Sequence, residues 1–461
     1  ESRPSSLFEL SLDECRARLS SPQPKTEIER PCTPGDGVEV WTDEELVEKA
    51  KLWEASPPNA ATLGLWVPAS GAATRMFRPL HEKPQACEAL WSAVDDLAVG
   101  RAWRDAVKEK GLNPEQCSSD EATAVLLTLM KEGAIPKGLV PFHMHDGGEG
   151  AETAFEAHVR SWGRLVASPK VWFTVPKVKH ADIDAHLSAS EFATNTDWHL
   201  PFQSPSTDTP VLDKDGAWLT DAQGQVVRRP GGHGALLPLL EEAAVPLIVI
   251  RNIDNAPSPS LRELRAKWTV AMLSACDAWV EERERLRREL TDSHRMLETV
   301  QDWLNASGAG IEEGTTLSVT EAAAWLDRPM RLVGMVRNEG QPGGGPFWVR
   351  VQSGMDRGLV RPQIVESIEF GMHNKHLMAE ATHFNPVDMV CALRPGQSLS
   401  EFVDASRYMK ATKTMQGREV TVLEHPGLWN GGMSGWLTRF VEIPSACFQP
   451  VKSALDLIDR T

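Results

Sequence analysis

The chain has 461 residues, 41% of them hydrophobic and 24% charged, and a formal net charge of −16. That length carries two or three domains, or one large α/β domain with insertions, and the composition is that of an ordinary soluble globular protein. The acidic balance excludes duplex nucleic acid as a bulk partner, because nothing offsets phosphate repulsion, yet it leaves room for a nucleotide in a locally basic pocket.

Seven scattered cysteines with no C-x-x-C pair fit a reducing compartment better than a disulfide framework or a zinc site. No run reaches about 18 apolar residues, so no membrane span is expected. The chain opens on Glu1 without a basic-then-apolar signal pattern, and a trimmed, cytoplasmic protein is the expectation.

Residues 1–40 are polar and broken by Pro22, Pro24, Pro31 and Pro34, with one short helix expected over 5–20. Thr42-Asp43-Glu44-Glu45 reads as a capped helix start running to about Ala55, closed by Pro57-Pro58. The apolar run 63–67 predicts a buried strand. It turns through Pro68-Ala69-Ser70-Gly71-Ala72-Ala73 into Thr74-Arg75-Met76-Phe77. Helical spacing over 84–133 predicts two or three helices, and the prolines of 135–142 an extended loop. Next come a helix over 152–166, a strand over 171–175, a helix over 181–187 and a short strand over 197–202. Two polar turns within 211–229 predict a hairpin flap. The loop Arg229-Pro230-Gly231-Gly232-His233-Gly234 opens a helix over 235–243, and the strand 246–250 runs into Arg251-Asn252-Ile253-Asp254-Asn255. Residues 259–305 read as long charged helices, with Glu281-Glu282-Arg283-Glu284-Arg285 as a solvated face. After 317 short strands (332–336, 347–351) alternate with glycine-rich loops. Strands alternating with helices at this spacing mean βαβ units and a mostly parallel sheet, with ligands at the strands' carboxyl ends.

Several stretches have the residue types that hold phosphate. A strand, a small-residue turn and a basic residue at a helix start offer backbone N–H groups and the helix's positive end to an anion, although small residues also serve close packing. Asp254 ends an apolar strand, where it is either a ligand for a hard divalent cation or the cap of an Asx-turn. Lys137 and Lys452, each beside a proline-containing stretch, are candidate point charges for phosphate or solvated surface lysines. Gly231 to Gly234 can admit a base or ribose, or form a plain tight turn. His143, His145 and Asp146 have metal-ligand spacing of the kind that is usually incidental in a glycine-rich loop. His383, within Ala381-Thr382-His383-Phe384-Asn385-Pro386, is the better pocket candidate. No G-x-S-x-G, G-x-x-x-x-G-K-[ST] or G-x-G-x-x-G is present, which removes the main support for hydrolase, P-loop and dinucleotide readings.

Taken in order, six of these elements resemble the sugar-1-phosphate nucleotidyltransferases, and most closely the UDP-sugar pyrophosphorylase branch. They are Ser70-Gly71-Ala72-Ala73-Thr74-Arg75-Met76; Pro136-Lys137; Phe202-Gln203-Ser204-Pro205; Pro230-Gly231-Gly232-His233-Gly234, after the Asp215-Gly216 hairpin; Ile253-Asp254-Asn255; and Phe448-Gln449-Pro450-Val451-Lys452. The first loop holds Gly71 where that family has two or three glycines, and Lys137 stands 62 positions after Arg75, so 84–133 is expected to loop out as a helical appendage. Longer phrases, among them 68–77, 136–142, 334–347 and 382–388, are similar to an uncharacterised bacterial family classed as a domain of unknown function, over about residues 40–460.

The resemblance implies a Rossmann-like, mixed and mostly parallel sheet of the GT-A nucleotidyltransferase type with helical insertions. Its expected parts are an N-terminal helical extension (1–60), a nucleotide-binding α/β core (61–258), a helical insertion (259–316) and a sugar-binding C-terminal part (317–461). It further implies transfer of a sugar 1-phosphate onto a nucleoside triphosphate, UTP favoured, with Mg²⁺ and release of pyrophosphate. Under that reading Arg75, Lys137 and Lys452 are catalytic, and Ser70, Gly71, Ala72, Ala73, Thr74, Gln203, Gly232, His233 and Gly234 hold the nucleotide. Asn338, Glu339, Gly343, Gly344, Gly345, His383 and Asn385 face the sugar, and Asp254 holds the metal. The alternatives are a non-catalytic nucleotide-sugar-binding protein on the same fold and, further off, a GT-A glycosyltransferase. No nucleic acid or membrane partner is expected, and the oligomeric state is left open.

Overall fold

A computed structural model describes residues 7–145, 150–243, 245–340, 343–415 and 417–460. Residues 5 and 6, within the expected first helix, and Asp146 of the histidine cluster lie outside them. The chain divides into two compact units, each assembled from three separate segments. The first holds 1–57, 203–248 and 271–443, and the second 58–202, 249–270 and 444–461.

In the second unit the strand Leu63–Pro68 buries each of its first five residues. It pairs in parallel with Lys170–Thr174, placing Leu65 opposite Val171 and Val67 opposite Phe173. That strand pairs in parallel with Asp197–His199, and Leu247–Arg251 flanks Leu63–Pro68 on its other side. Strands covered on both faces need continuous apolar runs, which is why these segments show no alternation. The last strand is shorter than expected, ending at His199.

Three helices, Pro84–Ser92, Gly100–Glu109 and Ser119–Leu129, form the insertion after the first strand and helix. Leu90, Val94, Trp103, Val107 and Leu126 are its buried core, and the Trp103 indole donates to the Ala122 carbonyl at 2.6 Å. The insertion ends in three consecutive left-handed residues, Lys131, Glu132 and Gly133 (φ 51°, 51° and 78°). A Cβ on Gly133 would stand 2.9 Å from Thr74 Cα, so only glycine lets the returning chain lie against the first loop.

The expected extended loop at 135–142 is instead a 3₁₀ turn, Lys137–Leu139, leading into the strand Pro141–Met144. The turn forms because Gly138 is pressed on Phe155, whose ring atoms lie as close as 2.2 Å to where a Cβ would stand. The following helix starts at Ala154, two residues later than expected. Glu152 is taken into the strand Ala151–Thr153 opposite His143, and Thr153 caps the helix with Glu156 in a capping box.

In the first unit the strands Thr33–Pro34, Gly37–Glu39, Leu437–Glu442, Met330–Arg337 and His383–Ala392 stand side by side in that order. The first four pair in parallel and the last is antiparallel. The first sixty residues thus hold short strands as well as helices, and the helix expected to end near Ala55 spans Asp43–Ala55, boxed by Thr42 and Glu45. A three-stranded antiparallel sheet joins Glu27–Pro31, Gly345–Arg350 and Val360–Val365 around Ile28, Phe347, Val365 and Phe370. The 211–229 flap forms as expected. The Asp213 and Asp221 carboxylates each accept two backbone N–H groups in its turns, and Thr209–Asp213 pairs further with Arg418–Glu424.

One expectation on the helix Arg262–Glu289 is corrected. Arg285 does lie on an exposed ion-paired face with Glu282 and Glu289, but Arg283 is buried, its Nη1 directed at the Arg328 carbonyl and Met330. Helix phase turns one residue of that charged run inward. All seven cysteines are free thiols, six of them buried. Among the described residues no helix is long and apolar enough to cross a membrane.

Candidate active site

Within the second unit the loop after Leu63–Pro68 is held from both sides. Ala69 N–H donates to the Thr174 carbonyl (3.0 Å), and the Ser70 and Thr174 hydroxyls lie 3.2 Å apart. On the other side Ala73 N–H donates to Ile135 O (3.0 Å) and Lys137 N–H to Gly71 O (3.1 Å). The 62-residue gap between Arg75 and Lys137 is closed by these two bonds, with the insertion standing outside them. The helix Thr74–Glu82 begins at Ala73 without a side-chain cap, and Arg75 in its first turn is exposed.

Gly71 is exposed, and a Cβ there would meet nothing within 4 Å. Close packing therefore does not explain this glycine. It does explain Gly133 and Gly138, which are crowded by the chain itself.

Lys137 Nζ lies 3.5 Å from Asp254 Oδ2, with the two side chains only 15% and 21% exposed. Burial holds the Lys137 ammonium below the usual lysine range. The Asp254 carboxylate opposes that shift, while Lys452 and Arg75 add to it. One carboxylate and two further cations thus act on the Lys137 ammonium. Lys452 is brought there by a C-terminal strap that the sequence alone does not reveal. The Asn255 side chain donates to Cys447 O (3.2 Å) and accepts from Gln449 N–H (2.9 Å), and Arg265 donates to Cys447 O (2.8 Å). Val451 N–H donates to Asp254 O (2.8 Å), which lays the strap's backbone against Asp254, and the next residue, Lys452, is exposed with its N–H on the Asp456 carboxylate (2.8 Å).

Among the described residues no three His, Cys, Asp or Glu side chains are grouped to hold a metal ion. A cation at Asp254 would have one protein carboxylate and would complete its shell with phosphate oxygens and water, a donor set that suits Mg²⁺. His143 is buried, its Nε2 3.2 Å from the Ala256 carbonyl.

The other candidates lie in the first unit. Gln203 donates to Thr207 Oγ1 (2.9 Å) and Asp208 Oδ1 (3.2 Å). His233 Nδ1 accepts from Leu428 N–H (3.0 Å), so the neutral ring carries its proton on Nε2, 3.6 Å from Glu366. Its ring lies 5.2 Å from that of Trp429. Cβ atoms on Gly231 and Gly234 would strike His425 and the Pro426 carbonyl, and Gly232 has φ 80°. These glycines answer first to the chain's own 424–427 segment.

A second polar group sits where Met330–Arg337, Leu437–Glu442 and His383–Ala392 meet. Buried His383 directs Nε2 at Glu442 (2.9 Å), which also takes the Arg337 guanidinium (2.7 Å). Burial lowers the His383 pKa, with Glu442 opposing. Asn338 donates to Ala381 O (3.1 Å) and accepts from Gly340 N–H (3.0 Å), and Glu339 follows it. Asn385 is left-handed (φ 47°), and its N–H donates to Gly344 O (2.9 Å). A Cβ on Gly344 or Gly345 would clash with the carbonyls of Val365 or His383, whereas one on Gly343 would meet only the Asn385 amide. Sequence reasoning missed Glu442 and Arg337, which stand at strand ends without a motif around them.

Strands mostly in parallel with helices between them define an α/β protein of nucleotidyltransferase-like fold. The structure is similar to the uridine diphosphate N-acetylglucosamine pyrophosphorylase from Trypanosoma brucei, at 12% identity and a TM-score of 0.50, over 93% of this chain and 71% of that one. It also matches an Entamoeba histolytica protein assigned as a UDP-N-acetylglucosamine pyrophosphorylase (11%, TM-score 0.47, 94% and 84% of the two chains). A third match is UDP-glucose pyrophosphorylase from Leishmania major (12%, TM-score 0.42, 98% and 71%). The chain belongs to the family described as domain of unknown function DUF4301, whose model matches residues 9–461. No curated protein matches it.

Proposed function

We propose that the protein is a nucleotidyltransferase that joins a sugar 1-phosphate to a nucleoside triphosphate, UTP favoured, releasing pyrophosphate. The observation that carries this reading is the half-buried Lys137–Asp254 pair, whose ammonium also feels Arg75 and Lys452, together with a loop whose glycine has no packing reason. The nucleotidyltransferase-like fold and the names of the similar pyrophosphorylases support it.

In this reading the Gly71–Thr74 backbone and Arg75 bind the triphosphate, and Lys137 and Lys452 hold the α-phosphate and the sugar phosphate. The sugar phosphate oxygen attacks the α-phosphorus in line with the departing pyrophosphate. The protein's work is positioning and neutralising charge, with no covalent intermediate. Mg²⁺ held by Asp254 would add charge neutralisation on the phosphates.

The test is pyrophosphate release from UTP and the other nucleoside triphosphates with Mg²⁺ and a panel of sugar 1-phosphates. Turnover with at least one pair, lost on Asp254→Asn, is expected. Silence with every nucleotide in a folded protein overturns the proposal.

A further inference from the structure

The Lys137–Asp254 pair is more than a phosphate grip. Asp254 already faces Lys137 Nζ at 3.5 Å, Lys452 and Arg75 are close enough to act on the same ammonium, and the Asp456 carboxylate accepts the Lys452 backbone N–H at 2.8 Å. The Lys137 ammonium thus stands directly on the Asp254 carboxylate, in a place where both members of the pair are mostly shielded from water. A free divalent cation approaching Asp254 is opposed by the ammonium already paired with it. A polyphosphate meets attraction, and once bound it gives Lys137 another anionic partner.

We propose that Lys137 is a charge gate on Asp254. It excludes free divalent cations from the carboxylate and admits a cation only together with a phosphate chain that draws the ammonium away. This rests on the nucleotidyltransferase reading and sharpens it: the ligand taken up is the metal–nucleotide complex, not the metal followed by the nucleotide. The gate needs the positive charge of residue 137 and not its shape. An arginine there keeps the gate, while a glutamine or methionine of similar length opens it.

The test is titration of the whole chain with Mn²⁺, followed by the electron paramagnetic resonance of the free ion, for the unaltered protein and for Lys137→Gln, Lys137→Met and Lys137→Arg. Thermal melting of each protein checks that it is folded, and the two neutral variants guard against the failure of one. The unaltered protein and Lys137→Arg should take up little Mn²⁺ without nucleotide. The neutral variants should bind it at least about tenfold more tightly, and adding Asp254→Asn should remove that gain. With UTP present, the unaltered protein should take up Mn²⁺. Equal uptake of free Mn²⁺ by the unaltered protein and the neutral variants overturns the gate, and so does absence of uptake in all of them. If the neutral variants gain Mn²⁺ through Asp254 but no nucleoside triphosphate brings Mn²⁺ to the unaltered protein, exclusion of the free ion stands and the nucleotidyltransferase reading falls.

Discussion

Gly71 separates two explanations that sequence leaves open. A glycine kept for packing shows a crowded Cβ position, as at Gly133 and Gly138; at Gly71 that position is open, and the φ is not one that only glycine adopts. Replacing it by alanine should therefore leave stability within about 0.5 kcal/mol. If the loop holds phosphate, the added methyl occupies space the ligand needs, and UTP affinity should fall by about tenfold or more. Thermal melting and calorimetric titration of Gly71→Ala read the two quantities separately. Unchanged affinity would remove this loop from the site. At this scale the sequence was informative about residue types and silent about their partners. Asp254 and Lys137 stood out from their neighbours, yet their 3.5 Å pairing joins residues 117 positions apart. Glu442 gave no local signal, because its neighbours His383 and Arg337 come from other strands.

The C-terminal strap shows how an element positions a charge. Asn255 is 2% exposed, and its amide spends both ends on the strap, donating to Cys447 O and accepting from Gln449 N–H. Asn255→Ala leaves those two backbone groups without that partner, and each such loss costs about 1–3 kcal/mol. The strap should loosen, and with it the backbone bond from Val451 to Asp254 that precedes Lys452. Hydrogen exchange should show faster exchange at Gln449 and Val451, and the nucleotide-induced rise in melting temperature should shrink. Protection unchanged at both amides would show that Arg265 and the Val451–Asp254 backbone bond hold the strap without Asn255. Element existence was largely readable: the helix Asp43–Ala55, the strand Leu63–Pro68 and the three insertion helices follow from capping boxes and apolar spacing. The departures, at Lys137–Leu139 and Arg283, come from tertiary contacts with Phe155 and Arg328 that local pattern does not encode.

At the scale of the whole molecule the chain builds each unit from three distant segments, so the identity of the units could not be read from composition shifts along the sequence. The net charge of −16 also has to be set against what is buried. Lowering the pH reduces the negative charge and its self-repulsion, but that long-range effect is screened within about 8 Å at physiological salt. Two histidines of the first unit act locally and in the opposite sense. Burial lowers the pKa of His383, against Glu442 at 2.9 Å, with nearby Arg337 adding to the lowering. Burial likewise lowers that of His425, opposed by its bond to the Thr207 carbonyl, and Arg18 adds to the lowering. Both are held neutral in the fold at a pH where the unfolded chain, at an ordinary value of about 6.5, already takes up protons. The unfolded state then binds more protons than the native one, so stability is full above about pH 6.5 and declines as the pH falls below it. At physiological salt, melting temperature should drop from about pH 7 to about pH 5, and His425→Gln, whose amide can still donate to Thr207 O, should flatten that slope, as should His383→Gln, since Glu442 keeps its Arg337 partner. A slope that is unchanged in both variants would assign the acid sensitivity to the carboxylates instead.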